Sequence, residues 1–232
     1  MANANAITPP SLARRSGWQM HFPLREFVLL PIIGLAIVAG ALLSPAFLTT
    51  DNMINILQQS SELSILVLAE SLILIGGKFD LSLESIVGFA PMVGAWLIST
   101  DSLMGGSGVG LNPVAGILVV FAVGALVGAI NGLLVVKLRL NAFISTLAML
   151  ILLRGTTVGI TNGQTLFDLP ESFVYLGSAQ WAGIPASIWV AGLLYVVAIL
   201  ILRYHRIGRA VYAVGGNPEA ARIAGIPVER LT

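Results

Sequence analysis

Apolar positions along this chain gather into six runs, at about 27–43, 57–75, 81–99, 113–136, 141–160 and 186–202. Each is close to the roughly 17–25 residues that carry an α-helix across a bilayer. Alternation with a period of two, expected of barrel strands, is absent. Lipid offers the backbone no hydrogen-bond partner, so the runs must be helical. The pattern predicts an all-α, polytopic transmembrane helical bundle of about six spans.

Polar positions orient it. With the N-terminus inside, Arg14, Arg15, Arg25, Lys78, Lys137, Arg139, Arg203, Arg206, Arg209, Arg222 and Arg230 all fall on the cytoplasmic side; these are eleven of the twelve Lys and Arg, as the positive-inside rule requires. The twelfth, Arg154, lies within a span, and the outer loops hold Asp51, Asp101, Asp168 and Glu171. Both termini are therefore expected in the cytoplasm. Three regions follow: an N-terminal tail over 1–26, a membrane domain over 27–204 and a cytoplasmic region over 205–232. Trp18, His21 and Phe22 are expected interfacial anchors of the tail. The first run follows a long polar stretch and reads as a retained span rather than a cleavable signal. Residues 161–185 form the longest outer loop. The glycine-rich stretch 105–110 reads as a flexible outer turn, and it lacks the Lys-Ser/Thr ending of a phosphate-binding loop.

Composition narrows the class. The chain is 56% hydrophobic and 10% charged, with mean hydropathy +0.92, whereas soluble domains carry about 25% charged residues. It is expected to be an integral, multi-pass protein in contact with membrane lipid. A net charge of +1 gives no footprint for nucleic acid. The absence of cysteine excludes disulfides, thiolate metal sites and cysteine nucleophiles. His21 and His205 are the only histidines and flank spans, so no metal site and no catalytic arrangement is read, and an intramembrane enzyme is disfavoured. No ATP-binding motif occurs. The chain is expected to carry no cofactor, any ATP being bound by a partner subunit.

Polar residues inside the second and third runs mark candidate chemistry. The second run begins with Gln58, Gln59, Ser60, Ser61, Glu62 and Ser64 and carries Glu70; the third contains Glu84 and Pro91. A charge at a helix centre costs roughly 3 kcal/mol on insertion scales, so such residues face a cavity or a partner. The pathway reading is favoured for this pair of spans; the alternative is that their polar groups fill the bundle interior. Glu62 lies about 20 Å up its helix and Arg154 about 18 Å up its own, so depth alone predicts that they pair. In the fourth run, Gly124, Gly128 and Gly132 form two overlapping Gly-xxx-Gly motifs. Their use is close helix packing, preferably within the chain, with a dimer seam as the alternative.

The segment after the last run reads as a short capped helix. Asn217 is an N-cap, Pro218 fits the first helical turn, Glu219 sits at the positive end of the dipole, Gly225 is a C-terminal cap and Pro227 a stop. Its alanine surface, Ala220 and Ala221, allows close approach by another protein.

That segment resembles the Glu-Ala-Ala cytoplasmic loop of ABC-importer permeases of the ribose/xylose/simple-sugar type, within the branched-chain permease superfamily. Residues 76–82, Gly-Gly-Lys-Phe-Asp-Leu-Ser, are similar to that family's Gly-Gly-Ile-Asp-Leu-Ser, with one residue inserted. Residues 131–135, 141–147 and Arg154-Gly155 match Asn-Gly-Leu-Leu-Val, Pro-Phe-Ile-x-Thr-Leu and Arg-Gly, with Ala142 in place of proline. The resemblance implies that Asn217, Glu219, Ala220, Ala221 and Gly225 form the coupling surface for an ATPase. It makes Asp80, Ser82, Phe143, Thr146 and Arg154, with Glu62 and Glu70 from the polar second span, candidates for the translocation pathway or gate. It implies three partners: an ABC ATPase subunit, a second permease subunit in a homo- or heterodimer, and a periplasmic or extracellular solute-binding protein. The location it implies is a bacterial inner membrane. Family members continue with about four more spans, each of roughly 20 residues, so the chain is expected to be truncated after the coupling loop and not to transport alone. The alternative function is an ion-coupled secondary transporter of a small polar solute, using Glu62, Glu70 and Glu84.

Overall fold

The computed structural model describes residue 27 and residues 29–103 and 105–231. The anchors Trp18, His21 and Phe22 and the basic Arg14, Arg15 and Arg25 lie outside them. The chain divides into two compact units, residues 1–52 and 53–232.

In the first unit, α1 (Leu29–Leu43) is apolar on every side and buries none of its residues. After it the chain turns on Phe47, whose ring covers Gly40 so closely that a Cβ there would lie 2.6 Å from it. Asn52 Nδ2 donates to the Phe47 carbonyl at 2.7 Å.

The second unit is helical apart from one small hairpin. Its elements are α2 (Thr50–Ile75, which begins in the first unit), α3 (Leu83–Ile98), α4 (Pro113–Gly132) continued by a π-turn (Leu133–Lys137), α5 (Ala142–Ile160), α6 (Glu171–Ser178), β1 (Gln180–Trp181), β2 (Ile184–Pro185), α7 (Ala186–Tyr204), α8 (Arg206–Gly216), α9 (Pro218–Ile223) and α10 (Val228–Leu231). Asn112 and Asn141 cap α4 and α5, accepting from the amides of Val114 and Ile144, and Pro113 occupies the first turn of α4, where its missing N–H costs nothing. The core lies among α3, α4 and α5, where Val127, Met149 and Leu153 pack with Ile86, Phe89, Val123 and Leu134.

Among the described residues, three helical stretches are long and apolar enough to cross a membrane: Pro113–Lys137, Ala142–Ile160 and Ala186–Tyr204. α1 and α3 are apolar but only 15 and 16 residues long, a rise of about 24 Å or less. α2 has 26 residues but begins with the polar turns noted above. It starts seven residues before its apolar run, because a helix extends wherever its backbone is satisfied, not only where it is apolar. The 161–185 loop is built rather than open. It contains α6 and a hairpin turning on Ala182 and Gly183, both at positive φ (54° and 77°), as a two-residue turn between antiparallel strands requires. The glycine-rich stretch 105–110 is also tied down, with Ser107 and Leu111 donating to the carbonyls of Trp96 and Leu97.

Candidate functional site

α2 ends on Gly77, which takes φ +75°. In this left-handed cap Gly77 N–H donates to Leu74 O and Lys78 N–H to Ile73 O, at 2.9 and 3.1 Å, satisfying carbonyls that a helix end leaves open. The turn then delivers Asp80 into the bundle, where it becomes a hub. Its Oδ1 accepts from Ser82 N–H (2.8 Å) and Ser82 Oγ (2.7 Å), and its Oδ2 accepts from Asn131 Nδ2 at 3.3 Å. Asn131 Nδ2 also donates to Ser82 Oγ at 2.6 Å. Asp80 N–H points at Glu70 Oε1 (3.4 Å), and Leu81 N–H donates to Thr146 Oγ1 at 3.1 Å. One signature turn thus joins α2, α3, α4 and α5. Ser82 is 0%, Thr146 1% and Asn131 4% exposed, so Ser82 and Thr146 are sealed hydrogen-bonding groups rather than open lining. Glu70 Oε2 and Asn131 Oδ1 are buried without a partner among the described residues. Asn131, the first residue of the Asn-Gly-Leu-Leu-Val match, is the central member that the sequence reading did not single out. A buried-facing asparagine in an apolar span was the available signal.

Arg154 corrects the depth argument. Its guanidinium meets Glu84 Oε1 at 2.5 Å, not Glu62. Depth fixes height along a helix but not the direction in which a side chain leaves it, and arginine reaches toward the N-terminus of its own helix, here toward the start of α3. Glu62 is exposed on α2. More than half of each side chain of the Arg154–Glu84 pair is uncovered by the chain (63% and 53%). Glu84→Arg and Arg154→Glu should each lower the yield of folded protein, by up to the roughly 3 kcal/mol that an unpaired charge within a span costs, and the swapped double variant should recover it. Equal yields of the double and single variants in detergent would sink the pairing.

Part of α2's polar stretch is engaged by other segments, while Gln59, Ser60 and Glu62 are exposed. Ser61 Oγ donates to Ser187 Oγ at 3.1 Å, Gln58 Nε2 to Gly177 O at 3.3 Å, and Tyr195 OH to Ser64 O at 3.0 Å. Of these α2 residues Ser61 is buried, as interior filling requires. Phe143 is 55% exposed in the first turn of α5. Of the Gly-xxx-Gly face, only Gly124 comes near another helix, where a Cβ would lie 3.9 Å from Ile86; Gly128 and Gly132 meet nothing within 4 Å. Intrachain packing, the preferred reading, is therefore found at Gly124 alone among the described residues. The tight crossing lies elsewhere: a Cβ at Gly94 on α3 would stand 3.0 Å from the Gly116 carbonyl of α4.

On the basic side, α7 breaks at His205, whose Nδ1 accepts from the Ile207 amide and caps α8. α9 forms as its sequence reads. Asn217 Oδ1 accepts from Ala220 N–H at 3.0 Å. Gly225 (φ +80°) closes the end, with Gly225 N–H donating to Arg222 O and Ile226 N–H to Ala221 O. Glu219 pairs with Arg222 at 2.9 Å, both largely uncovered. The outward surface differs from the expected one at Ala221. Ala221 is only 4% exposed, so it packs into the chain instead of facing outward, whereas Ile223 is 87% exposed. The face offered outward is Glu219, Ala220 and Ile223. Beside it lies a cleft of about 1030 Å³, walled by the 76–79 turn, the π-turn and α9, with Lys78, Arg139, Glu219 and Arg222 on its rim. Among the described residues no cluster of three or more His, Asp or Glu is placed to hold a metal ion.

Comparison with known proteins adds the family. Residues 52–232 match the family model described as branched-chain amino acid transport system / permease component. The chain is 34% identical to the ribose import permease protein RbsC of Escherichia coli (strain K12) over 193 residues, 82% of this chain and 57% of that protein. It is 34% identical to the L-arabinose transport system permease protein AraH of the same strain over 228 residues, 98% of this chain and 66% of that one. It is 33% identical to RbsC of Bacillus subtilis (strain 168) over 218 residues, covering 92% and 65%. The chain thus spans 57–66% of the length of these relatives. The relatives are transport permeases rather than enzymes. No solved structure matches significantly.

Proposed function

We propose that this chain, which belongs to the branched-chain amino acid transport system permease family, is a transmembrane permease subunit of an ATP-binding-cassette importer for a simple sugar. The observation that carries the reading is the 34% identity to ribose and arabinose permeases over 82–98% of the chain. The membrane domain occupies about six spans of a bacterial inner membrane, with 1–26 and 205–232 in the cytoplasm. The distribution of Lys and Arg supports this arrangement. ATP is bound by a separate ATPase subunit, which receives α9 through Glu219, Ala220 and Ile223, with Asn217 and Gly225 fixing the ends of that helix. A second permease subunit and a solute-binding protein on the outer face complete the importer.

In this reading the Asp80 cluster, with Ser82, Asn131, Thr146 and Glu70, forms the inner gate. It ties four helices at one level through hydrogen bonds that can be exchanged. Phe143, Arg154 and Glu62 lie toward the solute path. Closure of the ATPase dimer moves α9, and the spans above it reopen to the other side of the membrane. The ion-coupled alternative needs carboxylates free to take up a cation. It is weakened by the engagement of Glu84 with Arg154.

The test is co-purification in detergent with the ATPase subunit encoded beside this chain. Wild type should retain the ATPase. Glu219→Lys should lose it while the chain still inserts, because the variant removes the Arg222 pair and places a positive charge at the positive end of a helix. Retention of the ATPase by the variant at wild-type levels would count against α9 as the docking element.

A further inference from the structure

The α8 helix carries a row of small or compact residues one turn apart: Gly208, Val211 and Gly215. Gly208 lies on the backbone of α7, where a Cβ would come within 2.5 Å of Leu202 Cα. Val211 reaches Gly76. At Gly215 a Cβ would collide with the Ile75 carbonyl and stand 3.2 Å from Gly77 N, while one at Gly77 would stand 3.3 Å from Gly215 Cα. Two glycine backbones therefore touch with no side chain between them. Val214, beside this contact, is 1% exposed. On one side of the contact, Gly216 leads directly into Asn217, the cap of α9. On the other side, only Lys78 and Phe79 separate Gly77 from the Asp80 hub.

We infer that the Gly215–Gly77 contact is the mechanical joint through which displacement of α9 reaches the Asp80 cluster, with both glycines acting as positioning residues. The inference rests on the importer reading above. A contact between side chains absorbs small movements by changing rotamers, whereas close-packed backbone has no such freedom and passes a shift on. Gly77 is held at φ +75° by its two cap hydrogen bonds, so pushing it rotates the 78–82 segment instead of being taken up in the turn. The segment's other end is bound to Asn131 and Thr146 on α4 and α5. Coupling requires an element that can take two arrangements, and the 76–82 turn is the one assigned that part.

The experiment uses the full complex with the co-encoded ATPase. The chain has no cysteine, so Lys78→Cys gives a single label site on the turn, read as the rate of maleimide labelling with and without ATP plus vanadate. The joint predicts that trapping changes the rate by about tenfold, within the usual range of coupling between sites. Insertion of one glycine between Gly216 and Asn217 leaves the Gly215–Gly77 contact in place but lengthens the link to α9. It should abolish the labelling change and solute uptake while ATPase recruitment and hydrolysis persist. Gly215→Ala should likewise lose uptake with the ATPase still bound. Labelling that ignores nucleotide in a hydrolysing complex overturns the joint alone, as does an insertion that leaves both the change and uptake intact. Failure of wild type to hold any ATPase overturns the importer reading, and the joint with it.

Discussion

Asp80→Ala should lower the stability of this protein by about 3–5 kcal/mol, the sum expected when a hydrogen-bonded charge is removed and its buried donors are left unpaired. The donors are identifiable. Ser82 N–H and one hydrogen of Asn131 Nδ2 lose their acceptor outright, and Ser82 Oγ loses the oxygen to which it donates. Ser82 and Asn131 are 0% and 4% exposed, so water does not easily replace the carboxylate. α3 should then loosen from α4 at its first turn. Asp80→Asn should be milder, since its amide oxygen still accepts from Ser82. Thermal unfolding in detergent, followed by loss of helical signal, checks both. An Asp80→Ala variant within about 1 kcal/mol of wild type would mean that the hub is not what fastens these helices.

Ile223→Asp should abolish ATPase recruitment while leaving the fold of the chain intact. The side chain is 87% exposed on a six-residue helix and contributes little to this chain's own packing. Burying an isoleucine in a partner's groove yields roughly 1.5–3 kcal/mol, and a carboxylate in the same groove adds a desolvation cost. The expected loss of affinity is therefore at least about 100-fold. Ile223→Ala should lose about tenfold by the same arithmetic. Ala221 provides the contrast. It is packed into the chain, so Ala221→Asp should damage the fold of the 217–226 segment and recruitment together. Titration of detergent-purified chain with the ATPase subunit, alongside unfolding curves for the three variants, distinguishes these cases. Wild-type affinity for Ile223→Asp would place the docking surface elsewhere.

The sequence by itself determined the helical class, the membrane setting and the caps. Lipid leaves only helices for apolar runs of this length, and caps are local: Asn217 with Pro218, and Gly225 with Ile226, act within a few residues of each other and form as read. The resemblance to sugar-importer permeases was also legible, because motifs such as 76–82 are contiguous. What the sequence missed was direction and partnership. The heights of Glu62 and Arg154 were computable from helix rise, but which way Arg154 turned depended on α3 lying beside α5, and the arginine went to Glu84. Ala221 and Ile223 are two residues apart on one helix, and only the packing of α9 decided which faced in. The glycines at 124, 128 and 132 had the spacing for close packing, yet closer interhelical approaches formed at Gly94 with Gly116 and at Gly215 with Ile75, because helix contact depends on where two helices cross and not on the spacing within one. The touching of Gly215 and Gly77, 138 positions apart in the sequence, could be decided only by the tertiary structure: neither residue carries a side chain whose pattern could announce the other.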